Sequence, residues 1–303
     1  MIRAGVICCA LLAATQALAE TMTIDGTERT FAAFVPEKRP APLVLVLHGN
    51  TQQGVDMQTR ASWPEVARRE QFIAIYPDGL NRAWADLRSG AEVVGRRPPA
   101  GTDDVAFLMA LVAKYIKDGT ADPKRIYIAG VSNGGAMTMT LACKEPQTFA
   151  AAAVMIMSFT ATMAEACRPQ QPIPMLLMNG TADTLIAYQG GRSTSQYALP
   201  NVWSTERTIG FWRKVNGCEA GNGATSNLPD KDREDSSTVT RIDSRCPPGK
   251  DVVLFRVNDG GHRVPGKGSD AKMPRAADAI LGPQNHDIDG PDVIWEFFKR
   301  FAR

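Results

Sequence analysis

Hydrophobic positions along the chain follow two periods. From Thr21 to Val35 apolar and polar residues alternate around Asp25-Gly26, which predicts an opening antiparallel hairpin. Beyond the proline-bounded loop from Pro36 to Pro42 the pattern changes. Leu43 to Leu47 (LVLVL) is a continuous apolar run of the kind that is buried on both faces of a parallel sheet. Similar short runs recur at Phe72 to Tyr76, in the stretch that begins at Arg125, and at Ala151 to Met157, Pro174 to Asn179 and Asp251 to Val257. Between them apolar residues recur at helical spacing over Ala61 to Glu70, Val105 to Tyr115, Thr205 to Val215 and Asp292 to Phe301. Thr102 or Asp103 can cap the second of these helices. Strands alternating with helices predict an α/β fold, a mostly parallel central sheet with helices on both faces. In such sheets functional residues sit beyond the carboxyl ends of the strands, where the loops converge.

The start of the chain does not belong to this pattern. Residues 1–19 combine one arginine, an apolar run and a small-residue site at Ala17-Leu18-Ala19, the composition of a secretory signal peptide. Residues 20–303 are then expected to form one catalytic domain, secreted or periplasmic, with no stretch long enough to span a membrane. Cys143, Cys167, Cys218 and Cys246 remain, an even count that reads as disulfides in an exported chain. Three pairings are possible, and the local one, Cys143–Cys167 with Cys218–Cys246, closes each loop around a recognisable segment. The second loop carries the charged run DKDRED and reads as a solvated excursion. A net charge of +2 with both signs interspersed argues against nucleic acid as a partner. No metal-ligand spacing is present, so neither a metal nor a cofactor is expected, and the oligomeric state stays open.

The candidate chemistry centres on RIYIAGVSNGGAMTMTLAC, residues 125–143: a strand pattern, a tight turn, then a small-residue helix pattern. Gly130-Val131-Ser132-Asn133-Gly134 is a G-x-S-x-G nucleophile elbow between them. A serine hydroxyl needs a base within reach, and the base needs a third group to hold its tautomer. There are three histidines. His48 directly follows LVLVL, where this architecture places oxyanion-hole backbone, and His286 lies in a polar loop with no strand leading to it. His262 follows the last strand and is the expected base. Asp183, just beyond Pro174 to Asn179, is the expected acid, with Asp259 as the competing candidate. The Asn133 amide is one expected oxyanion donor, and the backbone at Asn50 or Thr51 is the other.

Together these motifs carry a resemblance. His48-Gly49-x-Thr51-Gln52, Thr102-Asp103-Asp104-Val105, the elbow with Gly135, Gly180-Thr181-Ala182-Asp183 with Tyr188, Gly190 and Gly191, and Gly260-Gly261-His262 before Pro265-Gly266 resemble the secreted polyhydroxybutyrate depolymerases and feruloyl or acetylxylan esterases. The resemblance covers nearly all of residues 20–303. It implies the α/β-hydrolase fold with Ser132, Asp183 and His262 as nucleophile, acid and base. Asn50 stands where that family often has cysteine, and Arg263-Val264 where it usually has threonine and tryptophan. The stretch from Ser158 to Ile173 is too short for a large lid domain. Trp84, Met157, Phe159, Tyr188 and Trp203 are the expected substrate-binding residues, and Met157, Phe159 and Met163 would form an apolar rim. The leading reading is a serine esterase acting on short or polymeric hydroxyalkanoate esters. Feruloyl or acetyl esters of plant polysaccharide are the alternative, and a non-catalytic binding protein on the same scaffold is the reading from another class.

Overall fold

The computed structural model describes residues 19–88, 90–192, 198–266 and 278–303, so the expected signal peptide lies outside the described residues except for Ala19, which begins the first strand. The alternating segment forms strands β1 (Ala19–Ile24) and β2 (Thr27–Phe34), turning at Asp25-Gly26. LVLVL lies within β3 (Ala41–Leu47), every residue of which is buried. Helices α1 (Gly54–Thr59) and α2 (Trp63–Glu70) follow, then β4 (Ile73–Pro77). Next is α3 (Asp104–Lys117), whose N-cap is Asp103, with its carboxylate accepting from the Ala106 amide. The centre of the chain runs β5 (Ala121–Val131), α4 (Asn133–Lys144), β6 (Ala151–Met155), α5 (Ala161–Ala166) and β7 (Met175–Gly180). The remainder is α6 (Thr205–Val215), β8 (Thr225–Asn227), β9 (Thr238–Asp243), β10 (Val252–Asn258), α7 (Asp278–Leu281) and α8 (Gly290–Phe298).

The strands make one ten-stranded sheet in the order β1-β2-β4-β3-β5-β6-β7-β10-β9-β8. Its centre, from β4 across to β10, is parallel, and both edges are antiparallel. Side chains alternate across the plane of the sheet. Leu43, Leu45 and Leu47 therefore pack with α3, α4, α5 and α6 on one face, while Val44 and Val46 pack with α1, α2 and α8 on the other. Two apolar cores thus clamp the central strands, and the strand ends have little freedom to move. Cys143 bonds Cys167, joining the ends of α4 and α5, and Cys218 bonds Cys246.

Three differences from the sequence reading have physical causes. The expected strand Ala151 to Met157 stops at Met155, because Ile156 adopts a positive φ of 46°, which breaks the pleat. The Cys218 to Cys246 excursion is partly sheet: β9 pairs with β10 and β8 pairs with β9, leaving DKDRED in the connection between them. Those edge strands expose polar residues, so they carry no apolar run to signal them. Between β6 and β7 lies only the short α5, which leaves no room there for a lid domain. Among the described residues no helix is long and apolar enough to cross a membrane.

Candidate active site

Three parallel strands, β5, β7 and β10, end on one edge of the sheet and set Ser132, Asp183 and His262 beside one another. Ser132 takes φ 53°, ψ −115°, a strained geometry for a residue with a side chain. Its neighbours make the turn possible by having no Cβ. A side chain at Gly130 would meet the Gly134 carbonyl, and one at Gly134 would meet the carbonyls of Leu47 and His48. The Ser132 amide donates to the Met155 carbonyl at 2.9 Å, and the Ser132 carbonyl accepts from Ala136 to start α4.

His262 bridges the other two residues. Its Nε2 is 3.1 Å from Ser132 Oγ and its Nδ1 is 2.8 Å from Asp183 Oδ2. Asp183 is buried, and its Oδ1 accepts from the amides of Leu185 at 2.8 Å and Ile186 at 2.7 Å. With one oxygen held by two amides, the other is aimed at the imidazole, which fixes the tautomer with hydrogen on Nδ1. His262 Nε2 is then placed to accept the Ser132 proton. The competing Asp259 is exposed, turns through φ 57° and does not bond His262.

The other histidines are engaged elsewhere. His48 is fully buried; its Nε2 accepts from the Gly79 amide at 2.9 Å, so its Nδ1 carries the proton and faces the Gly49 carbonyl at 2.7 Å. Burial lowers its pKa, which keeps the ring neutral. His286 meets Asp235, its Nδ1 3.1 Å from the carboxylate.

Hydrogen bonds also separate the two expected oxyanion donors. The Thr51 amide donates to the Arg82 carbonyl at 2.9 Å, and the Gly49 amide donates to Gln52 Oε1 at 2.9 Å. The Thr51 hydrogen is therefore already used in this structure. The amides of Asn50 and Asn133 have no acceptor among the described residues. Both are braced through their side chains. Asn50 Nδ2 donates to the Arg96 carbonyl at 2.8 Å and Asn50 Oδ1 accepts from the Arg96 amide at 2.9 Å. Asn133 Oδ1 accepts from the Trp84 amide at 2.8 Å and its Nδ2 donates to Asp86 at 2.7 Å. Asp86 is itself locked in a buried ion pair with Arg88.

A cavity of about 610 Å³ opens over this edge. Its walls include Met57, Val131, Ile156, Leu185, Leu199 and Val264. None of the five residues expected to bind substrate lines it. Trp84 is buried under the oxyanion loop, 4.7 Å from the His48 ring, with its Nε1 donating to the His48 carbonyl at 2.9 Å. Phe159 stacks on Trp212 and meets Trp203 edge-on, and Tyr188 is buried with its hydroxyl donating to Glu206 at 2.9 Å. Half-buried Trp203 carries the Arg207 guanidinium over its ring. Met157 and Met163 are fully buried, so the expected apolar rim is core. Large apolar side chains gained more by joining the core than by facing water. Sequence reasoning missed the aliphatic wall, although one signal was available: Val131, Ile156 and Leu185 stand at or just past the ends of β5, β6 and β7.

The fold has solved counterparts. The structure of acetyl xylan esterase from Aspergillus awamori superposes with a TM-score of 0.60 at 19% identity, covering 84% of this chain and 97% of that one. Residues 96–169, which include the elbow, match the Prolyl oligopeptidase family. The chain has the α/β-hydrolase fold. Within this fold its sequence relatives are esterases. Feruloyl esterase B of Piromyces equi is 28% identical over 233 residues, 74% of this chain and 40% of that protein. The poly(3-hydroxybutyrate) depolymerase of Ralstonia pickettii is 28% identical over 142 residues, 42% of this chain and 29% of that protein. The chain thus spans less than half the length of either.

Proposed function

We propose that this α/β-hydrolase is an exported serine carboxylic-ester hydrolase, with residues 20–303 as one catalytic domain. The observation that carries the reading is the continuous link from Ser132 through His262 to Asp183 beside two uncommitted backbone amides. Ser132 attacks the ester carbonyl while His262 takes its proton, and the amides of Asn50 and Asn133 hold the oxyanion of the tetrahedral intermediate. Collapse expels the alcohol, protonated by His262, and leaves an acyl-enzyme on Ser132. Water activated by the same imidazole then releases the acid. The two disulfides suit an oxidising compartment and support export.

For the substrate we favour feruloyl or acetyl esters of plant polysaccharide. The esterase relatives support this, and so does the aliphatic cavity, which has room for a compact aromatic or acetyl acyl group. The polyester reading loses its rim of Met157, Phe159 and Met163 and keeps the partial depolymerase match. Methyl ferulate, p-nitrophenyl acetate and a polyhydroxybutyrate suspension, each offered to the purified protein, separate the two. We expect the first two to be hydrolysed, with Ser132 covalently labelled by an organophosphate. Soluble hydroxybutyrate from the polymer with no ferulate release would reverse the choice of substrate, and turnover of the esters by Ser132→Ala would remove the mechanism.

A further inference from the structure

Near the cavity mouth, the guanidinium groups of Arg82, Arg96 and Arg97 have no role in the chemistry above. Residues 82–97 bring four arginines, Arg82, Arg88, Arg96 and Arg97, to the oxyanion side of the site. The two carboxylates of the same segment are engaged. Asp86 is buried in its pair with Arg88, and Glu92 is buried with its Oε2 accepting from the Thr160 hydroxyl at 2.7 Å. Arg82, Arg96 and Arg97 are exposed and have no carboxylate partner among the described residues. Other acids near the mouth are also committed, Asp56 to Arg60 at 3.1 Å and Asp289 to capping α8.

Asn81 links the backbone and side chains that carry these arginines, while the Arg97 guanidinium also donates to the Val93 carbonyl at 3.4 Å. Asn81 and Arg82 both take positive φ, 53° and 58°, a conformation that side chains other than glycine rarely adopt. Asn81 Oδ1 accepts from Arg96 Nη1 at 3.0 Å and Asn81 Nδ2 donates to the Arg97 carbonyl at 2.8 Å. Arg82 lines the cavity, its carbonyl accepts from Thr51, and the Arg96 backbone clasps Asn50. A positive rim is thereby built onto the oxyanion loop. Arginine forks suit carboxylates, and a charge cluster at a cleft mouth raises the local concentration of anionic substrate.

We infer that this rim selects esters carried on a carboxylate-bearing polysaccharide, one whose backbone or branches contain uronate residues close to the ester. The inference rests on the ester-hydrolase reading and narrows its substrate. The test uses an acetylated oligosaccharide bearing a glucuronate branch and its twin in which that carboxyl has been reduced to an alcohol. At low salt the wild-type enzyme should show kcat/KM about tenfold higher on the charged twin. At 0.5 M NaCl, where screening reaches only a few ångströms, the ratio should approach one. Arg82→Gln/Arg96→Gln/Arg97→Gln should bring the ratio toward one at low salt, and Arg241→Gln on β9 should leave the ratio as it is in wild type. Equal rates on both twins at low salt, or a preference that survives the triple substitution, would overturn the inference. If neither twin nor any simple ester is cleaved, it is the ester-hydrolase reading that fails.

Discussion

Two places in the molecule join a histidine to aspartate with similar local geometry. His262 Nδ1 is 2.8 Å from Asp183, and His286 Nδ1 is 3.1 Å from Asp235. The surroundings divide them. Asp183 is held by two amides of its own turn, so its free oxygen is directed at the imidazole, whose far nitrogen reaches Ser132 at the floor of the cavity. Asp235 uses its carboxylate to hold Ser237 and the His286 amide, which ties the DKDRED connection to the loop before α8. His286 lines no part of the cavity described over Ser132. Asp232 stands 3.7 Å away and adds charge without adding a nucleophile. The same residue types thus form a latch where they join two loops, and the relay of the proposed mechanism where strand ends converge on a serine.

The largest effect that could break this comparison is loss of turnover. Ser132→Ala and His262→Ala should each lower kcat by about 10⁴-fold or more while thermal melts stay near wild type, and His286→Ala should keep kcat within about twofold. Ester turnover that depends on His286 would transfer the base to the latch. Next, Asp183→Asn should cost about 10⁴-fold in kcat by disturbing the tautomer of His262. Asp235→Asn should instead lower only stability, by about 1–2 kcal/mol, as hydrogen bonds within the latch weaken. A smaller loss is expected from Asn50→Ala, which keeps the backbone amide but removes its clasp on Arg96. We expect kcat to fall about tenfold with KM nearly constant, and unchanged kcat would mean that the oxyanion loop is held without the clasp.

The smallest expected effect concerns the third histidine. Burial lowers the pKa of His48 below its ordinary 6.5, so the unfolded chain binds the extra proton more readily than the folded one. Its contribution is complete above pH 6.5 and declines as the pH falls below that value toward the folded pKa. Thermal melts should show a steeper acid loss of stability for wild type than for His48→Gln, which is itself less stable at neutral pH by about 1–2 kcal/mol. Parallel acid slopes for the two proteins would exclude His48 as the source.

Much of the frame was legible in the chain alone. Continuous runs such as LVLVL can satisfy their apolar side chains only between two layers, which selects a parallel sheet covered on both faces. The glycines at 130 and 134 leave space that only the tight elbow at Ser132 requires. The positions of Asp183 and His262 could be read from strand ends, because parallel strands deliver the loops at their carboxyl ends to one edge. Tertiary structure alone decided the rest. Which amide is free depends on acceptors far along the chain: Arg82 takes the hydrogen of Thr51 and leaves that of Asn50. The fate of Trp84 and Phe159 depended on whether a neighbouring layer could bury them, and in both cases one could. The cavity wall draws single residues from many loops, so no periodicity along the chain records it. Local pattern expresses what a segment needs, and only packing determines which distant segment supplies it.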